Sequence, residues 1–125
     1  MRQILKSATS IIIINNNQTY QVDNCAEKLI DLLDQSYTTP SYVTANHPDI
    51  TRAKEKGLWI EISFESRMSF KDLPFDRLLI NLKPKYTFLN IFRCVDDKYT
   101  GKCFNFNLAT NTTNLYKEIM NEIKE

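Results

Sequence analysis

The residues with chemical potential in this chain are three cysteines, one histidine and a pair of glutamates. Cys25 sits where a helix is expected to begin, so the helix dipole would lower its thiol pKa. Paired with His47 as base, it is the candidate nucleophile of a Cys-dependent enzyme. The plain alternative is a small side chain packed into an ordinary helix, and no oxyanion-hole or nucleophile motif lies nearby. Cys25, His47, Cys94 and Cys103 lack the close C-x-x-C or H-x-x-x-H pairing of structural zinc sites, so the sequence offers no metal site and no cofactor.

Glu61 and Glu65 share one face of an alternating strand, their backbones about 13 Å apart. Glycoside hydrolysis needs carboxyls about 5–9.5 Å apart, which makes a solvated face the better account of this pair. Cys94 and Cys103 bracket a predicted hairpin turn. A loop of Tyr99, Thr100 and Gly101 gives a register whose paired numbers sum to even values. That register places Phe92, Phe104 and Phe106 on one face and the two cysteines on opposite faces, where no disulfide forms.

The segment 101–108, GKCFNFNL, resembles the strand signature of RNA-recognition modules, whose aromatics two apart stack on bases. Asn105 stands where the signature has a small residue, and the predicted strand order does not match. A net charge of +1 supplies no basic footprint either. The sequence therefore argues against a nucleic-acid partner.

These residues depend on elements that can be read from periodicity. The apolar fraction of 42% over 125 residues suffices for one domain, residues 1–125, with a core of its own. With 2 glycines, a Gly-rich phosphate loop is excluded. The abundance of Asn and Ile reads as the codon bias of an AT-rich genome. No apolar run approaches the ~20 residues of a membrane helix. The start, MRQILKSATSIIII, is too short in apolar residues for a secretory signal. That favours a cytoplasmic location, with export after signal removal as the alternative.

Residues 1–9 read as a frayed lead-in. Ser10–Ile14 reads as a strand, Asn15–Asn17 as a turn and Thr19–Val22 as a returning strand. Ile11, Ile12, Ile13 and Ile14 want cover on both faces: an interior strand supplies it, or an edge that pairs with a second copy in a homodimer. Asn24 and Glu27 form a capping box for an amphipathic helix over 24–35. A loop over YTTPSYVTAN (37–46) precedes a short helix near Pro48–Lys56 that Gly57 ends.

Leu58–Glu65 alternates as a half-buried strand, with Trp59, Glu61 and Glu65 on the face opposite Ile60 and Ile62. A connection over 66–76 leads to a strand through Leu78, Ile80 and Leu82, which Pro84 stops. Tyr86–Val95 and Lys102–Leu108 form a hairpin with Gly101 in its turn. A last helix, 112–124, carries Leu115, Ile119 and Ile123 on one stripe.

The sum is an α+β two-layer sandwich: a mainly antiparallel sheet with both long helices on one face. The other face would be open, and from it project Trp59, Glu61, Glu65, Lys83, Arg93 and Asn105 together with Leu89 and Ile91. A Trp among polar neighbours resembles an interface hot spot, the equal alternative being that the segment 37–57 folds over this face and buries Trp59. The expected function is therefore a small non-enzymatic binding domain, capturing a protein partner or small ligand there, as an immunity, inhibitor or accessory protein does. The alternatives are a soluble domain of an exported bacterial lipoprotein and the Cys25 enzyme. Under the binding reading, Trp59→Ala would abolish capture and leave the fold intact.

Overall fold

A computed structural model describes residues 2–22, 25–34, 41–44 and 50–123. In chain order the elements are α1 (Arg2–Lys6), β1 (Ser10–Asn15), β2 (Gln18–Tyr20), α2 (Cys25–Asp34), β3 (Ser41–Thr44) and α3 (Ile50–Ala53). There follow β4 (Leu58–Phe70), β5 (Leu73–Leu82), β6 (Phe88–Val95), β7 (Lys98–Asn107) and α4 (Thr113–Ile123). The described strands form one seven-stranded sheet in the order β2-β1-β4-β5-β6-β7-β3. Every neighbouring pair in it is antiparallel. The architecture is an antiparallel sheet with helices, in the α+β manner.

Three hairpins in this glycine-poor chain turn on two residues, both with positive φ: Asn16-Asn17, Lys71-Asp72 and Asp96-Asp97. That is the backbone of a type I′ turn, whose twist matches the strands it joins. Asn and Asp supply five of the six positions because their short polar side chains tolerate the left-handed region, and Lys71 supplies the sixth. The last of these turns corrects the predicted hairpin. Gly101 lies inside β7, and Val95 pairs with Lys98 across Asp96-Asp97. The helix expected near Pro48–Lys56 is described only over Ile50–Ala53, and Gly57, expected to end it, lies four residues further on with a left-handed backbone, φ +84°. Its N–H donates to Asn16 Oδ1, and its carbonyl accepts from the Asn16 N–H, both at 3.0 Å.

The turn sets the register, and the register sets the faces. Leu89 pairs with Phe106, Ile91 with Phe104 and Phe92 with Cys103, all odd sums, before an irregularity brings Cys94 opposite Tyr99. A slip of one residue moves every side chain to the other face. Phe92 therefore leaves the company of Phe104 and Phe106, and Leu89 and Ile91 join it.

The first face holds the main core. Ile60, Ile62, Leu78, Ile80, Leu82, Leu89, Ile91, Phe104 and Phe106 are buried in one cluster with Leu29, Ile30, Leu32 and Leu33 of α2 and Leu115 and Ile119 of α4. Full burial of each such side chain stabilises by roughly 1.5–3 kcal/mol. Leu5 joins this cluster, so residues 2–6 are a packed helix where a frayed lead-in was expected. Lys28 of α2 reaches Glu118 and Glu122 of α4 at 3.5 and 3.6 Å.

The expected connection over 66–76 is a second correction. β4 runs on to Phe70, and β5 returns from Leu73 with Pro74 opposite Ser69. Between Ser63↔Arg77 and Met68↔Phe75, the four residues Phe64–Arg67 face the single residue Asp76. So large a bulge bends the hairpin sharply. Its tip curls over the first face, which brings Phe70 within 5.3 Å (ring centroids) of Phe104, although two strands separate β4 from β7. Phe75 lies edge-on to both Phe104 and Phe64.

A third correction is β3. Ser41–Thr44, read from sequence as loop, pairs with Asn105–Lys102 as an edge strand. Pro40, Asn46, His47 and Pro48 lie outside the described residues, as do the predicted cap Asn24 and the end of that helix at Gln35. β1 is flanked by β4 and, over Ile13–Asn15, by β2; Ile13 and Ile14 are buried and Ile11 and Ile12 half-buried. No helix among the described residues is long and apolar enough to cross a membrane.

Candidate functional site

The second face of the sheet is partly covered. Trp59 is only 3% exposed and packs in a small cluster with Ile14, Leu79, Phe92 and Cys103, with Ala53 of α3 and Tyr99 at its border. Its indole N–H donates to the Lys56 carbonyl at 2.9 Å. The α3 turn thus closes over the ring and satisfies its one polar atom, as a buried Trp requires. The predicted centre of an open face is a core residue.

Beside this cluster lies a cleft of about 170 Å³. Trp59 and Phe92, their ring centroids 6.4 Å apart, contribute to its lining. Asn81, Asn90 and Lys83 supply polar groups, and Tyr86 and Phe88 complete it. Tyr86 and Phe88 are the exposed large hydrophobics among the described residues, at 39% and 41%. Their rings stack with centroids 5.5 Å apart and planes 15° from parallel. Lys83 Nζ sits 5.9 Å from the Tyr86 centroid, within cation–π range.

The aromatic pair is held by the start of α4. Fully buried Thr112 donates its hydroxyl to the Lys83 carbonyl and accepts from the Tyr86 N–H at 3.1 Å. The Thr112 N–H donates to the Tyr86 carbonyl at 2.9 Å, and Thr113 Oγ1 accepts from the Lys85 N–H at 3.0 Å. With the Thr112 hydroxyl spent on this loop, Asn111 Oδ1 takes the Thr113 N–H at the helix start. Four hydrogen bonds therefore fix the loop over 83–87 that presents Tyr86.

The amides in the cleft differ in what they offer. Asn90 Oδ1 accepts from Asn105 Nδ2 at 2.7 Å, which leaves Asn90 its Nδ2 donor. Asn81 Oδ1 is buried without a partner among the described residues.

The sequence-derived site residues divide. Trp59 and Lys83 meet at the cleft, and Asn105 stands behind it through Asn90. Glu61 lies on the same face but belongs to a separate charged group, 3.5 Å from Lys54 and 3.4 Å from Arg77. Glu65 is exposed inside the bulge, where the alternation that paired it with Glu61 has ended. Arg93 is turned to the first face beside Leu78 and is 4% exposed. Tyr86, Phe88, Asn81, Asn90 and Phe92 were not among the predicted site residues. Asn81 shares this face with Lys83 by simple alternation along the strand, whereas the signal for the others was the Tyr-x-Phe spacing just past Pro84, legible only once the register was known.

The thiols are all desolvated, and His47, the base proposed for Cys25, lies outside the described residues. All three cysteines are free and buried. Burial pushes Cys25 up from an ordinary 9.0 to about 11, with Lys28 opposing and Glu122 reinforcing the shift. The dipole expected to activate this thiol is thus outweighed by its desolvation. Cys94 and Cys103 are also raised, chiefly by burial. Cys94 faces Tyr99 and Cys103 faces Phe92, which puts both cysteines on the second face where opposite faces were expected; they go unbridged because neither lies opposite the other.

A raised folded pKa means that the unfolded thiol loses its proton first. Stability present below pH 9 is therefore lost as pH climbs toward 11, by on the order of 3 kcal/mol at most for Cys25. Urea midpoints between pH 8 and 11 should fall steeply. Iodoacetamide at pH 8 should leave the native thiols unmodified by mass, and rapid alkylation of Cys25 would contradict its burial.

Among the described residues, no group of three or more His, Cys, Asp and Glu side chains is arranged to hold a metal ion. The hollow of about 450 Å³ beside α1 and α2 is lined by Arg2, Glu27 and Asp31 among others. Arg2 there is already paired with Asp31 and Asp34. No protein-family model, curated protein or solved structure matches this chain.

Proposed function

We propose that this chain is a non-catalytic binding domain that captures a small ligand or a short segment of a protein partner in the cleft beside Trp59. In this reading the fold is a two-layer sandwich. Helices α2 and α4 cover the first sheet face and leave part of the second for recognition. An immunity, inhibitor or accessory protein works in this way, and the buried, raised thiols favour capture over Cys25 chemistry.

The observation that carries the proposal is the stacked pair Tyr86 and Phe88. A small domain gains nothing in stability by presenting two large rings side by side to water, and such exposed apolar surface marks interaction sites. The pair is clamped by Thr112 in advance of any ligand, which lowers the entropic cost of binding.

Toluene serves as a minimal probe of the cleft. Titrated into ¹⁵N-labelled protein, it should shift the Trp59 indole N–H and the Asn90 side-chain amide. Tyr86→Ala with Phe88→Ala should weaken that binding by about tenfold or more. Since both rings are exposed, the double variant should retain native stability within about 1 kcal/mol. Toluene shifts that survive the double substitution would refute the assignment.

A further inference from the structure

The nitrogen groups that line this cleft supply donors, beside the Tyr86 hydroxyl, which can donate or accept. Lys83 is a pure donor and makes no ion pair among the described residues. Asn90 has spent its oxygen on Asn105 and keeps Nδ2. Asn81 has its oxygen as the buried end of its amide, which leaves Nδ2 as the outward one. No acidic side chain among the described residues lines the cleft. Three donors, one of them charged, converge beside an aromatic wall.

The size of the space restricts the occupant. At about 170 Å³ it falls below the ~300–1,000 Å³ of drug-sized pockets and close to the ~150 Å³ that accepts one benzene ring. We infer that the cleft takes a carboxylate borne on a single ring or short apolar chain. Its body lies against Tyr86 and Phe88, and its oxygens accept from Lys83, Asn81 and Asn90. This rests on the cleft being the binding site, and it adds the charge and size of what binds. Two sources share the chemistry: a free aromatic acid, or the C-terminal residue of a protein partner.

Phenylacetate and its neutral isostere phenylacetamide test the charge. By amide-resolved titration at low salt, phenylacetate should bind the native protein about tenfold tighter. Lys83→Gln should reduce that preference to about twofold or less, and Asn81→Ser should reduce it in part. Both positions tolerate the change, since Lys83 is exposed and Asn81 makes no hydrogen bond to lose through its oxygen. Equal binding of acid and amide overturns the inference, as does a preference that survives Lys83→Gln.

N-acetyl-Gly-Phe with a free carboxylate separates the sources. If it binds more tightly than phenylacetate, the carboxylate belongs to a protein C-terminus; if it is excluded, the occupant is a free acid. Toluene distinguishes the two levels of failure. Toluene binding without a carboxylate preference sinks this inference alone. Absence of toluene shifts sinks the cleft with it.

Discussion

Trp59→Ala is expected to lower the unfolding free energy by about 3–5 kcal/mol, the usual cost of truncating a buried large aromatic. The side chain is 3% exposed, packs against Phe92 and Leu79, and gives its N–H to Lys56. Its removal leaves a cavity in the smaller cluster, strips the second face of its central ring and orphans a carbonyl. Urea denaturation read by far-UV circular dichroism measures the loss directly. A shift of under 1 kcal/mol would mean that α3 does not close over the ring. This reverses the expectation from sequence, in which the same substitution spares the fold. Any loss of binding in Trp59→Ala therefore cannot be assigned to lost contact, and Tyr86 and Phe88 are the positions at which contact is separable from stability.

Arg93→Ala should cost about 2–4 kcal/mol. Arg93 donates through Nη1 to the Pro74 carbonyl at 2.5 Å and through Nε to the Lys102 carbonyl at 3.2 Å. Those carbonyls belong to β5 and β7, with Arg93 on β6 between them. The side chain thereby ties the curled tip of the β4–β5 hairpin to the far side of the sheet, beside the Phe70–Phe104 contact. The variant leaves carbonyl groups under-satisfied and a void where a long side chain lay. Arg93→Met restores the volume without the hydrogen bonds, so the difference between the two variants isolates the polar part. If both unfold at the native midpoint, the tip is not held by this residue.

These two residues show how the sequence was legible and where it stopped. Trp59 and Arg93 were the two anchors expected on one open face, and each is buried on a different face of the sheet for a different reason. Trp59 is on the predicted face, because alternation along Leu58–Ser63 is a local property of an extended backbone. Its burial depends on α3, which local alternation cannot report. Arg93 is on the other face because the hairpin turns at Asp96-Asp97 and not at Gly101. With so few glycines in the chain, Asp in the left-handed region was the less visible choice.

The amino-acid sequence by itself determined the strands and helices of the core: the amphipathic stripes of α2 and α4, the alternation of β4 and β5, the stop at Pro84. Each arises from residues within a few positions of one another, where periodicity and backbone preference act directly. It did not determine which strand faces coincide. Coincidence depends on turn length and on bulges, and an error of one residue there exchanges every inward side chain for an outward one. Nor did it reveal β3, whose short polar segment becomes a strand by pairing with the edge of β7. The cleft is a product of both levels. Tyr86 and Phe88 are neighbours by local spacing, but only the folded sheet sets them beside Trp59, Asn81 and Asn90, and Thr112 and Thr113, from a distant part of the chain, hold their loop there.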